Sequence, residues 1–151
     1  MTSLLKIVPP AWFFFFLIVG LLVHFFIPQA DVFTVSYPII GIVLLIAGLA
    51  FTTYSSALFS VEKTEILPTS ETNRTLITYG PFSYSRNPMY LGLVIGLLGA
   101  AIWVGTLPVY LATILYFCVL NFAFIPFEEA KMSRIFGAQF DAYKSKVRRW
   151  L

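Results

Sequence analysis

The chain has 151 residues, of which 59% are hydrophobic, 18% aromatic and 11% charged. Soluble domains carry about 25% charged residues, so a fold bathed by water on every side is excluded and lipid is the expected solvent. The net charge of +3 gives no case for nucleic-acid binding, and one cysteine (Cys118) with one histidine (His24) excludes an intrachain disulfide and a Cys- or His-built metal site.

In chain order, apolar runs occupy residues 11–27, 38–60, 89–104 and 107–127, each bounded by Pro, Gly or polar residues. The first follows Lys6 and closes at Pro28-Gln29 without a small-residue cleavage pattern, which predicts a retained helix in place of a cleaved leader. His24, between Val23 and Phe25, reads as a packing or interface residue, and Cys118 as a small core residue. The third run is short against the ~20 residues that cross a bilayer. It predicts one arm of a tight hairpin turning at Gly105-Thr106-Leu107-Pro108, where Gly and Pro break helices. The expected fold class is all-α: a polytopic membrane protein of about four transmembrane helices, the last two a tight hairpin. One domain spans residues 1–151, with variable helices over 1–60 and a core over 64–151.

Charge placement predicts the topology, because Lys and Arg collect in cytoplasmic loops. With four spans, one side receives Lys6, Lys63, Arg74, Arg86, Lys131, Arg134, Lys144, Lys146, Arg148 and Arg149, all ten of the basic residues. Both termini are therefore expected in the cytoplasm, at the inner membrane if the source is bacterial. Phe136, Phe140, Tyr143 and Val147 form the stripe of an amphipathic C-terminal helix interrupted at Gly137, with Arg148, Arg149 and Trp150 expected at the headgroup level.

Two polar groups flank the hairpin on that same face. Asn87-Pro88 reads as a helix start, with Asn as N-cap and Pro at the first position. Such a terminus also attracts carboxylate or phosphate, and Arg86 beside it strengthens the attraction. Glu128-Glu129 ends the last run, where carboxylates are costly and do little for topology, so a partner is expected. Neighbouring helical residues point about 100° apart, so only one of the two is expected to face a site. Tyr79, Phe82, Tyr84 and Tyr90 suit stacking on a planar ring or a sulfonium, and equally an interfacial aromatic belt. No phosphate-cradling loop, dinucleotide glycine fingerprint or Ser-His-Asp arrangement is present.

The stretch Leu76-Ile77-Thr78-Tyr79-Gly80-Pro81-Phe82, then Arg86-Asn87-Pro88-Met89-Tyr90-Leu91-Gly92, resembles the isoprenylcysteine carboxyl methyltransferase and phospholipid methyltransferase superfamily. Glu128-Glu129, Phe136-Gly137, Tyr143 and Val147-Arg148-Arg149-Trp150 resemble its C-terminal signature, so the likeness covers residues 64–151. The resemblance implies an S-adenosylmethionine site on the cytoplasmic side. Carried over by position, Arg74, Thr75, Leu76 and Ile77 form a cofactor-contacting strip and Phe82 an aromatic wall. Asn87, Pro88, Met89 and Tyr90 cap the cofactor, and Glu128 contacts it. Arg86 and Glu129 are the candidate catalytic residues. Asn87 stands where many relatives have His, which removes a titratable group. Phe124 stands where the prenylcysteine enzymes have an Arg for the acceptor's carboxylate.

The implied activity is methyl transfer from S-adenosylmethionine to a lipophilic, membrane-accessible acceptor, with membrane lipids and no nucleic acid as partners. The alternatives are an NADPH-dependent membrane reductase of the sterol-reductase type and a non-catalytic helical scaffold. A 2′-phosphate favours extra Arg or Lys contacts, and residues 61–88 offer only Lys63, Arg74 and Arg86.

Overall fold

The computed structural model describes residues 8–27, 35–64 and 75–151. These form six helices: α1 (Pro9–Phe26), α2 (Pro38–Val61), α3 (Pro88–Val104), α4 (Leu107–Val119), α5 (Ile125–Phe136) and α6 (Ala138–Lys146). A short 3-10 turn, Gly80–Ser83, precedes α3. Proline opens α1, α2 and α3, where its missing N–H costs no helical bond.

The last apolar run does not end at Phe127. Helices α4 and α5 are joined through a π turn, Leu120–Phe124, into one helical stretch, Leu107–Phe136, of 30 residues. Pro126 explains the π turn. It offers no N–H, and its ring crowds the carbonyl four residues back. Widening the helix relieves that crowding, and the Ile125 N–H reaches back to the Leu120 carbonyl. The charged end of the run therefore remains helical and carries Glu128 and Glu129 on a rigid element.

Three helical stretches, Pro9–Phe26, Pro38–Val61 and Leu107–Phe136, are long and apolar enough to cross a membrane, and α3 is a shorter apolar helix. Lipid tails are as apolar as leucine, so close van der Waals contact must hold such helices together, and small residues permit it. Helices α2 and α3 meet along glycines. A methyl on Gly48 would lie 2.5 Å from the Gly92 carbonyl oxygen and the Gly96 nitrogen, and one on Gly99 would lie 2.4 Å from the Leu45 nitrogen. Thr52 Oγ1 donates to the Met89 carbonyl at 3.0 Å, which registers the end of α2 against the start of α3.

Helices α3 and α4 reverse at Gly105, whose φ of +80° suits glycine. The segment before α2 crosses this turn, with Val35 N–H donating to the Gly105 carbonyl at 2.8 Å and Ser36 Oγ to the Trp103 carbonyl at 2.6 Å. Helix α1 lies on α4, and Tyr116 Oη donates to the Pro9 carbonyl. The core gathers Phe13, Tyr90, Leu93, Leu97, Tyr116, Leu120, Phe124 and Ile125.

The C-terminal amphipathic helix is two pieces. Gly137 at φ +49°, ψ −126° ends α5 and starts α6, a backbone conformation that turns Phe140 and Tyr143 under the bundle. Phe136 remains half-buried on α5 and Val147 lies beyond α6, so the expected four-residue stripe is not one helical face.

Replacing Gly48 with Ala should cost about 1–3 kcal/mol, as overpacking against backbone does. Gly96→Ala, whose new methyl would find its nearest neighbour at 3.7 Å, should change stability by less than about 0.5 kcal/mol. Chemical unfolding midpoints in detergent check the pair, and equal costs would refute the glycine seam.

Candidate functional site

At the end of the bundle remote from Gly105, a cavity opens among α2, the 75–90 segment, α3, α5 and α6. Its lining includes Thr75, Leu76, Ile77, Phe82, Arg86, Asn87, Pro88, Met89, Tyr90, Glu128 and Glu129. Two stretches read separately in the sequence thus share one wall. Arg74 lies outside the described residues. Five lining residues were not read as site residues: Phe59 from α2, Lys131 and Met132 from α5, and Phe140 and Tyr143 from α6. For the α5 pair a signal existed, since Lys131 and Met132 stand three and four places after Glu128, on the same helical face. Phe59 carried none, because only the α2–α3 contact brings it there.

Glu129 is the best-anchored side chain of the site. Its Oε1 accepts from Arg86 at 2.7 Å and its Oε2 from Arg149 at 2.7 Å. Arg86 also donates to the carbonyls of Lys144 (3.2 Å) and Val147 (3.1 Å), at the end of α6. Its main-chain N–H donates to the Arg148 carbonyl at 3.0 Å. The tail is therefore strapped across the turn that precedes α3.

Asn87 occupies the N-cap position, but its side chain makes no cap. Its amide instead donates to the Arg149 carbonyl at 3.0 Å, while its own N–H donates to Ser85 Oγ. The tail carbonyl thus engages the amide nitrogen, not the oxygen that an Asn cap would use. Trp150 also has partners inside the protein. Its ring lies 4.9 Å from that of Phe117, and Nε1 donates to Asn121 Oδ1 at 3.0 Å, within the π turn. A polar side chain in an apolar helix needs such a partner.

Both glutamates border the cavity, contrary to the expectation of one, but they have different partners. Tyr90 Oη donates to Glu128 Oε1. Lys131, one turn on, acts on Glu128 electrostatically. The aromatic wall is braced by its neighbours in the lining: Phe59 meets Phe82 edge-on at 5.6 Å, and Tyr143 Oη donates to the Phe82 carbonyl at 2.6 Å. Burial pushes the Tyr143 phenol up to about 12, so it remains a donor throughout the physiological range. At the rim, Tyr79 Oη donates to Glu62 at 2.7 Å, and that bond raises the Tyr79 phenol above its ordinary value. Tyr84 is 77% exposed and does not line the cavity.

Chemically, the cavity joins an apolar aromatic wall, a carboxylate, and the first N–H groups of α3, which lack intrahelical partners. Glu129→Gln should release the strap, because bonds to a charged group contribute about 1.5–3 kcal/mol. Trypsin cleavage at Lys144, Lys146 and Arg148 should then accelerate by roughly tenfold or more, read by mass spectrometry on detergent-solubilised protein. An unchanged rate would contradict the clasp.

Residues 37–139 match the phospholipid methyltransferase family. An uncharacterized protein of Haemophilus influenzae is 40% identical over 63 residues, which are 42% of this chain and all of that relative. No solved structure matches. A family match over more than half of the chain, together with three helices long and apolar enough to cross a bilayer, makes this a membrane protein that belongs to the phospholipid methyltransferase family.

Proposed function

We propose that the protein transfers a methyl group from S-adenosylmethionine to a lipophilic acceptor that enters from the bilayer. The observation that carries this reading is the meeting of the 75–90 segment with Glu128 around one cavity. Sites for small molecules typically combine apolar walls with a few placed polar groups. The residues present suit the cofactor. Ile77, Phe59 and Phe82 offer a wall for an adenine ring, Glu128 an acceptor for an amine or hydroxyls, and the start of α3 a site for a carboxylate. Thr75, Leu76, Asn87, Pro88, Met89 and Tyr90 complete the enclosure.

S-adenosylmethionine supplies an already activated methyl, so the chain has to bind, align and exclude water. Alignment of reacting groups can contribute ~7–11 kcal/mol. Arg86 and Glu129 serve this by holding the enclosure through their clasp, with the buried Arg86 Nε the one nitrogen of that guanidinium left without a partner among the described residues.

With four crossing helices, α3 included, this reading has the cavity at the cytoplasmic end together with both termini. Lys63, Arg86, Lys131, Arg134 and the basic tail all lie at that end of the bundle, as the retention of positive charge on the cytoplasmic side requires. Alkaline phosphatase fused after residue 35 or 105 should be active, and fused after residue 64 or 151 inactive. Activity at residue 64 would reverse the orientation.

Calorimetry on detergent-solubilised protein tests the cofactor. S-adenosylhomocysteine should bind and NADPH should not, and Glu128→Gln should weaken S-adenosylhomocysteine by roughly tenfold or more, the range of a charge-assisted bond. Binding of NADPH alone would replace methyl transfer by the reductase reading.

A further inference from the structure

The residue expected to cap the cofactor, Tyr90, has its hydroxyl committed to Glu128 and its ring in the core. We propose that Tyr90 is a positioning residue, which fixes the Glu128 carboxylate for a cationic or hydroxyl-bearing ligand and whose hydroxyl does not itself bind that ligand. The inference rests on the cofactor reading above and assigns the division of labour within it.

The geometry begins in the core. Tyr90 is only 7% exposed and packs in the cluster with Leu93, Leu97, Tyr116, Phe124 and Ile125, so its ring cannot swing. It sits in the first turn of α3, and Thr52 of α2 holds the preceding residue's carbonyl. That places the hydroxyl at a set point, from which it donates to Glu128 Oε1. A tyrosine hydroxyl has one proton to donate. With that proton on Oε1, the second oxygen of this cavity-lining carboxylate is the one we assign to the ligand.

Glu129 provides the contrast within the same two residues. Guanidinium groups occupy both of its oxygens, so it has little left for a ligand. Glu128 instead receives the neutral Tyr90 hydroxyl at Oε1, with Lys131 one turn further along the helix. Anchoring a ligand-facing carboxylate from behind is the general means by which a site attains its geometry before the ligand arrives.

The experiment is a double-mutant cycle read by binding. Calorimetry with S-adenosylhomocysteine would compare the parent with Tyr90→Phe, Glu128→Gln and the double variant, each checked for folding by its unfolding midpoint. Tyr90→Phe should weaken binding about fivefold and Glu128→Gln tenfold or more, with the double variant within about twofold of Glu128→Gln. Effects that act through one group do not add. A Tyr90→Phe variant that binds like the parent would overturn the proposal, as would a double variant whose losses multiply. If Tyr90→Phe fails to fold with its carboxylate unsupported, the double variant against Glu128→Gln alone still isolates the hydroxyl: equal affinity supports the proposal and a further loss refutes it. Absence of S-adenosylhomocysteine binding in the folded parent would overturn the cofactor reading along with this one, whereas parental binding with an insensitive Tyr90 overturns this one alone.

Discussion

The carboxylate of Glu129 joins three parts of the chain that are distant in sequence: the helix after the π turn, the turn before α3, and the C-terminal tail. Taking a carboxylate out of water costs several kcal/mol, and here two guanidinium groups at 2.7 Å offset that cost. Arg86 then extends the joint through the carbonyls of Lys144 and Val147, so one ion cluster sets where the tail lies and how the cavity is closed. The consequence for chemistry is direct. An arginine that looks available to an anion when read along the sequence spends both terminal nitrogens on the protein, and the amide of its neighbour Asn87 is spent on the tail.

The helices beneath this cluster are held by a different force. Among apolar helices in lipid there is little gain from burying more hydrocarbon, and backbone approach at glycines supplies the contact. Gly48, Gly92 and Gly99 bring α2 against α3 closely enough for Thr52 to bond the Met89 carbonyl. This seam carries Phe59 to the cavity and seats Tyr90 in the core. The rigidity of the site is therefore inherited from the membrane-type packing below it.

Glu128 and Glu129 show how adjacent residues acquire separate roles. A rotation of about 100° between them turns one toward two arginines and the other toward a tyrosine phenol. The π turn contributes as well, because relief of Pro126 keeps both carboxylates on a continuous helix and leaves Asn121 able to receive Trp150.

Composition alone determined that the solvent is lipid, and apolar run length determined the helices, because burying uncompensated backbone or charge in hydrocarbon is prohibitive. The candidate site was legible in Thr75 to Tyr90 and in Glu128 and Glu129, since polar groups beside apolar runs stand out against so plain a background. The end of α5 was not, because Pro126 resembles a stop and only the helix itself shows how its missing donor is absorbed. Nor were the partners of Arg86, Asn87 and Trp150 legible. Headgroup, ligand and tail carbonyl all satisfy the same donors, and only the tertiary structure decides among them, by bringing the C-terminal carbonyls within 3.0–3.2 Å of those donors.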